Sequence, residues 1–108
     1  MQAKAVTAFL VFLFSTPISE AAPVLVLGAG MSSCATWVST NETNYRLGEV
    51  WIMGFWSGRN AGTDASVGGS SDPDGIIGEV KLYCTSNPST RLFTAANDVY
   101  ARMRSQGR

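Results

Sequence analysis

Apolar residues recur at helical spacing along most of the chain, in four separate segments. The first segment is short, and its helix is predicted to begin after an N-cap serine, Ser32 or Ser33. It would place Cys34, Trp37 and Val38 on one side. A polar stretch over residues 40–44 then breaks the pattern.

The second segment, from residue 45 to about residue 58, is the most apolar and predicts a central, buried helix. Its apolar positions lie on all sides of a helix: Leu47, Val50, Trp51, Ile52, Met53, Phe55 and Trp56. Gly48, Gly54 and Gly58 each weaken a helix by roughly 1 kcal/mol relative to alanine, so we expect a neighbouring element to approach closely there. A buried strand over residues 50–56 is the alternative for so apolar a segment.

Two more helices are predicted after residues 59–71, which are rich in Gly, Ser, Ala and Asp and predict a long flexible loop. Asp72 is a good N-cap and Pro73 a good first helical residue for a helix to Cys84. The buried positions would be Ile76, Ile77, Val80, Tyr83 and Cys84 in this helix, and Leu92, Ala95, Ala96, Val99 and Met103 in the last one. The fold class expected is all-α, a small bundle of about four helices.

Residues 1–21 have the three parts of a secretory signal peptide: the positive charge of Lys4, an apolar run over residues 5–14, and a small-residue end. Ser19 and Ala21 fill the two small-residue positions, which predicts cleavage after Ala21. Residues 22–108 would then form a single small helical domain, and the pattern leaves open whether residues 22–31 are ordered. The apolar run is too short for a membrane-crossing helix of about 20 residues, so no integral membrane segment is expected after processing.

The chain has two cysteines, and an exported chain folds under oxidising conditions, which predicts a Cys34–Cys84 disulfide. Closing a loop of this length stabilises a fold by about 4 kcal/mol on the chain-entropy model. Pairing between two chains is one alternative. Lipidation of Cys34 is another, but Met31 stands where a lipoprotein signal has leucine, and Cys84 would lose its partner.

Charge and residue types argue against most enzymes and cofactors. Removing residues 1–21 takes away Lys4 and Glu20, so eight basic and eight acidic residues become seven of each, and neither nucleic acid nor an acidic membrane is an expected partner. The chain has no histidine, which excludes Ser-His-Asp and Cys-His nucleophile arrangements. The turn at residues 70–75 resembles the start of a calcium loop, but Lys81 stands where a bidentate carboxylate is needed. We expect no catalytic residue, metal or cofactor.

Three tryptophans in so small a domain suggest either core packing or a partner-binding patch. Core packing is expected for Trp37 and Trp51. Trp56 lies with Met53 and Phe55 beside the predicted loop, where a patch for a protein partner is one interpretation. A helix buried on every side is the other.

The layout of these residues resembles the HdeA/HdeB-type periplasmic acid-stress chaperones of bacteria. The resemblance rests on Cys34 with Trp37, the apolar run at residues 52–56, the GIIGEVKLYC run at residues 75–84, and the Asn-Pro pair that follows. It implies a periplasmic, non-enzymatic holdase that is dimeric and inactive near neutral pH. In acid such a protein opens and binds unfolded clients; here the released apolar surface would come from Val50, Trp51, Phe55 and Trp56.

The physical chemistry permits acid opening, because protonating the seven carboxylates would leave a charge of about +7 on a fold tethered by its disulfide. The layout also resembles Tai-type immunity proteins of type VI secretion. In that alternative the loop at residues 59–71 would plug the active site of a secreted toxin. A periplasmic binding or structural module without either activity is the third interpretation.

Overall fold

The computed structural model describes residues 2–13 and 23–108, and the predicted cleavage site after Ala21 lies outside them. In the described part the chain is all-helical, which confirms the expected fold class. A 3₁₀ turn (Gly28–Met31) precedes four helices: α1 (Cys34–Ser39), α2 (Glu42–Thr63), α3 (Pro73–Ser86) and α4 (Leu92–Ser105). None of the described helices is both long and apolar enough to cross a membrane.

The helix starts follow local capping chemistry. The Ser33 hydroxyl accepts a hydrogen bond from the Thr36 backbone N–H at 3.1 Å, and the Asp72 carboxylate accepts one from the Gly75 N–H at 2.7 Å. Both caps were expected, because these side chains satisfy N–H groups that have no partner inside the helix. Helix α2 begins at Glu42, earlier than predicted, because Asn41 caps it in the same way.

Helix α2 is longer than predicted, and the loop after it is correspondingly shorter. The helix continues through Thr63 and ends at Asp64, whose φ of 50° is left-handed. Residues 59–63 are therefore helical rather than part of a flexible loop. Tertiary contacts hold them there, since Arg59 bonds to Asn97 of α4 and its guanidinium lies 4.3 Å from the centre of the Tyr100 ring. The alternative of a strand over residues 50–56 is wrong.

The core lies between the inner faces of the four helices. All five positions predicted to be buried in α4 are buried, and so are Ile76, Ile77 and Val80 of α3. Tyr83 is only half-buried, because its hydroxyl bonds to Asp98 at 2.7 Å at the edge of the α3–α4 contact. The predicted disulfide joins α1 to α3, with both cysteines fully buried and their Cα atoms 4.9 Å apart.

The three glycines of α2 have different surroundings. At Gly48 an added β-carbon would overlap the indole ring of Trp37, so the expected close approach is confirmed there. Gly54 and Gly58 have no atom within 4 Å of the corresponding position, and the expectation was wrong for both. These two positions lie on the exposed side of α2, where no neighbouring helix covers them.

Candidate functional site

An open groove of about 600 Å³ lies between the start of α2, α1 and the 3₁₀ turn. Its apolar side is formed by Leu47, Val50 and Trp51 of α2. Its polar side carries Thr36, Thr40 and Asn44, and no charged residue lines it. We call this feature the α1/α2 groove. The chemistry of its walls suits an uncharged, largely apolar segment of chain rather than an ionic ligand.

Trp51 forms one end of the groove and holds the 3₁₀ turn in place. Its indole Nε1 donates a hydrogen bond to the Leu27 carbonyl oxygen at 2.9 Å. The ring lies against Gly30, where any β-carbon would overlap it. The turn is held from the other side as well, since the Leu92 N–H donates to the Ser32 carbonyl oxygen at 2.8 Å. One tryptophan therefore shapes the groove and orders residues 28–31.

An aromatic cluster continues the apolar surface beyond the groove. Trp51 and Phe55 stack with ring centres 5.5 Å apart, and Phe93 of α4 meets both rings edge-on, at 6.4 and 5.7 Å. All three side chains are half-buried. We call Trp51, Phe55 and Phe93 the aromatic cluster.

The four residues predicted to bind clients or partners lie on two sides of α2. Val50 is 70 % exposed, and Trp51 and Phe55 are half-buried, so these three share the surface just described. Trp56 is only 3 % exposed and lies in the core, where its ring meets Tyr100 at 5.0 Å and its Nε1 donates to the Val67 carbonyl oxygen at 2.8 Å. In the folded state Trp56 is thus not part of a surface patch. Its predicted role would require the fold to open.

The sequence interpretation missed Phe93, although a signal for it was present. Phe93, Asn97 and Tyr100 recur at steps of four and three along α4 and form one stripe toward α2. Phe93 contacts Phe55, Asn97 accepts from Arg59, and the Tyr100 hydroxyl donates to Asn60 at 2.7 Å. The helical period alone had singled out the neighbouring stripe that begins at Leu92.

Two carboxylates connect the exposed edges of α3 and α4. Glu79 of α3 forms ion pairs with Arg102, at 3.1 Å, and with Arg108. The guanidinium of Arg108 lowers the pKa of Glu79 below its usual value. Burial acts in the opposite direction with a smaller effect, and Arg102 lowers the pKa further. Asp98 of α4 accepts a hydrogen bond from Tyr83 of α3, which raises the pKa of that tyrosine. The ion pairs of Glu79 require an ionised carboxylate, so they weaken in acid.

The loop between α2 and α3 is anchored near its middle. Val67 is buried, and its backbone N–H and carbonyl oxygen bond to the two ends of the Asn60 side-chain amide, at 3.2 and 3.1 Å. The adjacent Gly68 N–H donates to the Arg108 carbonyl oxygen at 3.4 Å. The loop is therefore fixed at Val67 to α2 and at Gly68 to Arg108.

In the described part of the chain, no group of three or more His, Cys, Asp or Glu side chains is arranged to hold a metal ion. Comparison with family models, with curated proteins and with solved structures gives no match to this chain.

Proposed function

We propose that this chain is a small exported holdase, of the kind that the HdeA/HdeB resemblance implies, and that it binds apolar segments of unfolded proteins. The observation that carries the proposal is an uncharged groove continuous with the aromatic cluster through Trp51. A binding surface for many different unfolded clients needs apolar and aromatic area without a specific charge pattern. The α1/α2 groove has this character.

Acid would enlarge the apolar surface, because the α3–α4 edge depends on the charge of Glu79. Protonation of Glu79 weakens its ion pairs with Arg102 and Arg108, while net positive charge accumulates on the domain. The Cys34–Cys84 disulfide still joins α1 to α3. Loosening of α4 would then expose its buried side, Leu92, Ala95, Ala96, Val99, Tyr100 and Met103.

Immunity against a secreted toxin has less support from the contacts. That alternative assigned the plugging role to residues 59–71. The first part of this segment is helical, and Val67 is held by Asn60. No contact of the described residues favours this function over the holdase.

The test is light scattering by an acid-unfolded client protein, mixed with the chain at about pH 2.5 and separately at about pH 7. We expect the chain to suppress aggregation in acid and much less at neutral pH, where the buried side of α4 stays packed and only the groove and the aromatic cluster are accessible. Val50→Lys should weaken the protection, because lysine stays charged at both pH values and enters the apolar side of the groove.

Leu82→Lys is the matched control, since Leu82 is also 70 % exposed but lies on α3 away from the groove. This variant should protect as well as the parent chain. Absence of protection by the parent chain in acid would eliminate the holdase proposal. If Val50→Lys and Leu82→Lys lose the same amount of client protection, the groove is not the surface that binds clients.

A further inference from the structure

The segment just before the 3₁₀ turn is apolar and uncharged, and it is exposed except at the half-buried Val26. Residues 23–27 read PVLVL and form no helix or strand. Val24, Leu25 and Leu27 are 71, 82 and 70 % exposed. We call residues 23–27 the arm. An exposed run of this kind is costly in water and is typical of segments that pack against another surface.

Four other large apolar side chains in residues 23–108 are exposed. They are Leu47 and Val50 in the α1/α2 groove, Met31 in the 3₁₀ turn, and Leu82 on α3. Five of the seven exposed large apolar side chains in residues 23–108 thus belong to the arm or the groove, and neither feature has a charged residue. Their chemistry is complementary.

The arm leaves its own groove rather than lying in it. Its last residue, Leu27, is held at the groove end by the hydrogen bond from Trp51, and Gly28 turns the chain with a φ of 74°. Beyond that point the side chains of Val24 and Leu25 lie in solvent. A five-residue extended arm spans about 17 Å, and the groove floor from Asn44 to Trp51 runs about 10 Å along α2. The arm is long enough to cover the groove of a neighbouring molecule.

We propose that the arm of one copy occupies the α1/α2 groove of a second copy, and that the arm of the second copy occupies the groove of the first. Such an interface is self-complementary, as a twofold dimer requires. Two short arms cover less than the roughly 1,200 Å² of a standard stable interface. The dimer should accordingly be weak, with a dissociation constant on the order of 10 µM.

The experiment uses the chain exported with its own leader and purified from the periplasm, followed by sedimentation equilibrium at pH 7 over about 1–500 µM. We expect a monomer–dimer equilibrium. Leu25→Lys in the arm and Val50→Lys in the groove should each weaken it by about tenfold or more, since each places a charge in the apolar contact. Leu82→Lys should leave it unchanged, and circular dichroism checks that all variants fold.

Mixing the two weakened variants separates exchange from other arrangements. In the mixed dimer one contact joins an unchanged arm to an unchanged groove, while the other contact carries both lysines. Because a contact that one lysine has broken loses little more from the second, the mixture should form more dimer than either variant alone. A parent chain that stays monomeric throughout the concentration range would overturn the proposal, including the case in which the arm folds into its own groove. A dimer that neither variant weakens would also overturn it.

The exchange does not rest on the holdase activity, although both use the groove. Leu25→Lys should weaken the dimer by about tenfold or more and leave protection of clients in acid intact. A chain that dimerises through the arm but protects no client would uphold the exchange and end the holdase proposal. A chain that protects clients in acid but forms no arm-dependent dimer would uphold the holdase proposal and overturn the exchange.

Discussion

Replacing Glu79 by glutamine removes the charge that links α3 to Arg102 and Arg108 without changing the size of the side chain. The glutamate side chain is 26 % exposed, and the two arginines are 47 % and 45 % exposed. Partly exposed ion pairs contribute about 0.2–1 kcal/mol each after screening by solvent. We therefore expect Glu79→Gln to lower the free energy of unfolding by about 1 kcal/mol at pH 7. In a domain of this size that corresponds to roughly 5 °C in Tm.

The effect should depend on pH with a definite sign. The folded state lowers the pKa of Glu79, so the stabilisation is present above the pKa that the residue has in the unfolded chain. It is lost as the pH falls through the lower folded-state pKa. The parent chain and Glu79→Gln should therefore differ at pH 7, and the difference should be smaller at pH 2.5.

The assay is urea unfolding followed by far-UV circular dichroism, at both pH values and at low and high salt. Added salt should shrink the difference at pH 7, since it screens exposed charges. Glu49→Gln is the control: Glu49 is half-buried on α2, and the described residues show no ion pair for it. A difference for Glu79→Gln that is as large at pH 2.5 as at pH 7 would refute the electrostatic reasoning.

Three further variants test packing and hydrogen bonding, and all three are checked by thermal or urea unfolding. Tyr83→Phe removes the hydrogen bond to Asp98 and should lower the free energy of unfolding by up to about 1 kcal/mol. The folded state raises the pKa of Tyr83, so the hydrogen bond contributes its full stabilisation below about pH 10. The difference between the variant and the parent chain should disappear as the pH rises through the higher folded-state pKa. Gly48→Ala should destabilise by about 1–3 kcal/mol, because the new methyl group displaces the Trp37 ring. Gly54→Ala, which faces open space, should instead stabilise α2 by about 0.5–1 kcal/mol. The same sign for both glycine variants would contradict the assigned packing.

The sequence alone determined the features that depend on neighbours along the chain. The caps at Ser33 and Asp72 were predictable because each side chain bonds to a backbone N–H three residues later. The buried stripe of α4 was predictable because its apolar residues follow one face of a helix. The pairing of Cys34 with Cys84 followed because a chain with two cysteines has a single intramolecular pairing.

Only the tertiary structure decided what depends on distant contacts. Helix α2 is apolar on every side, so its pattern could not show that Trp56 faces the core while Val50 faces solvent. Its last residues, 59–63, have little apolar period of their own, and they are helical because Arg59 and Asn60 bind α4 and the following loop. One end of the α1/α2 groove is formed by Trp51, whose ring fits over Gly30. That contact joins residues far apart in the sequence, and no local pattern encodes it.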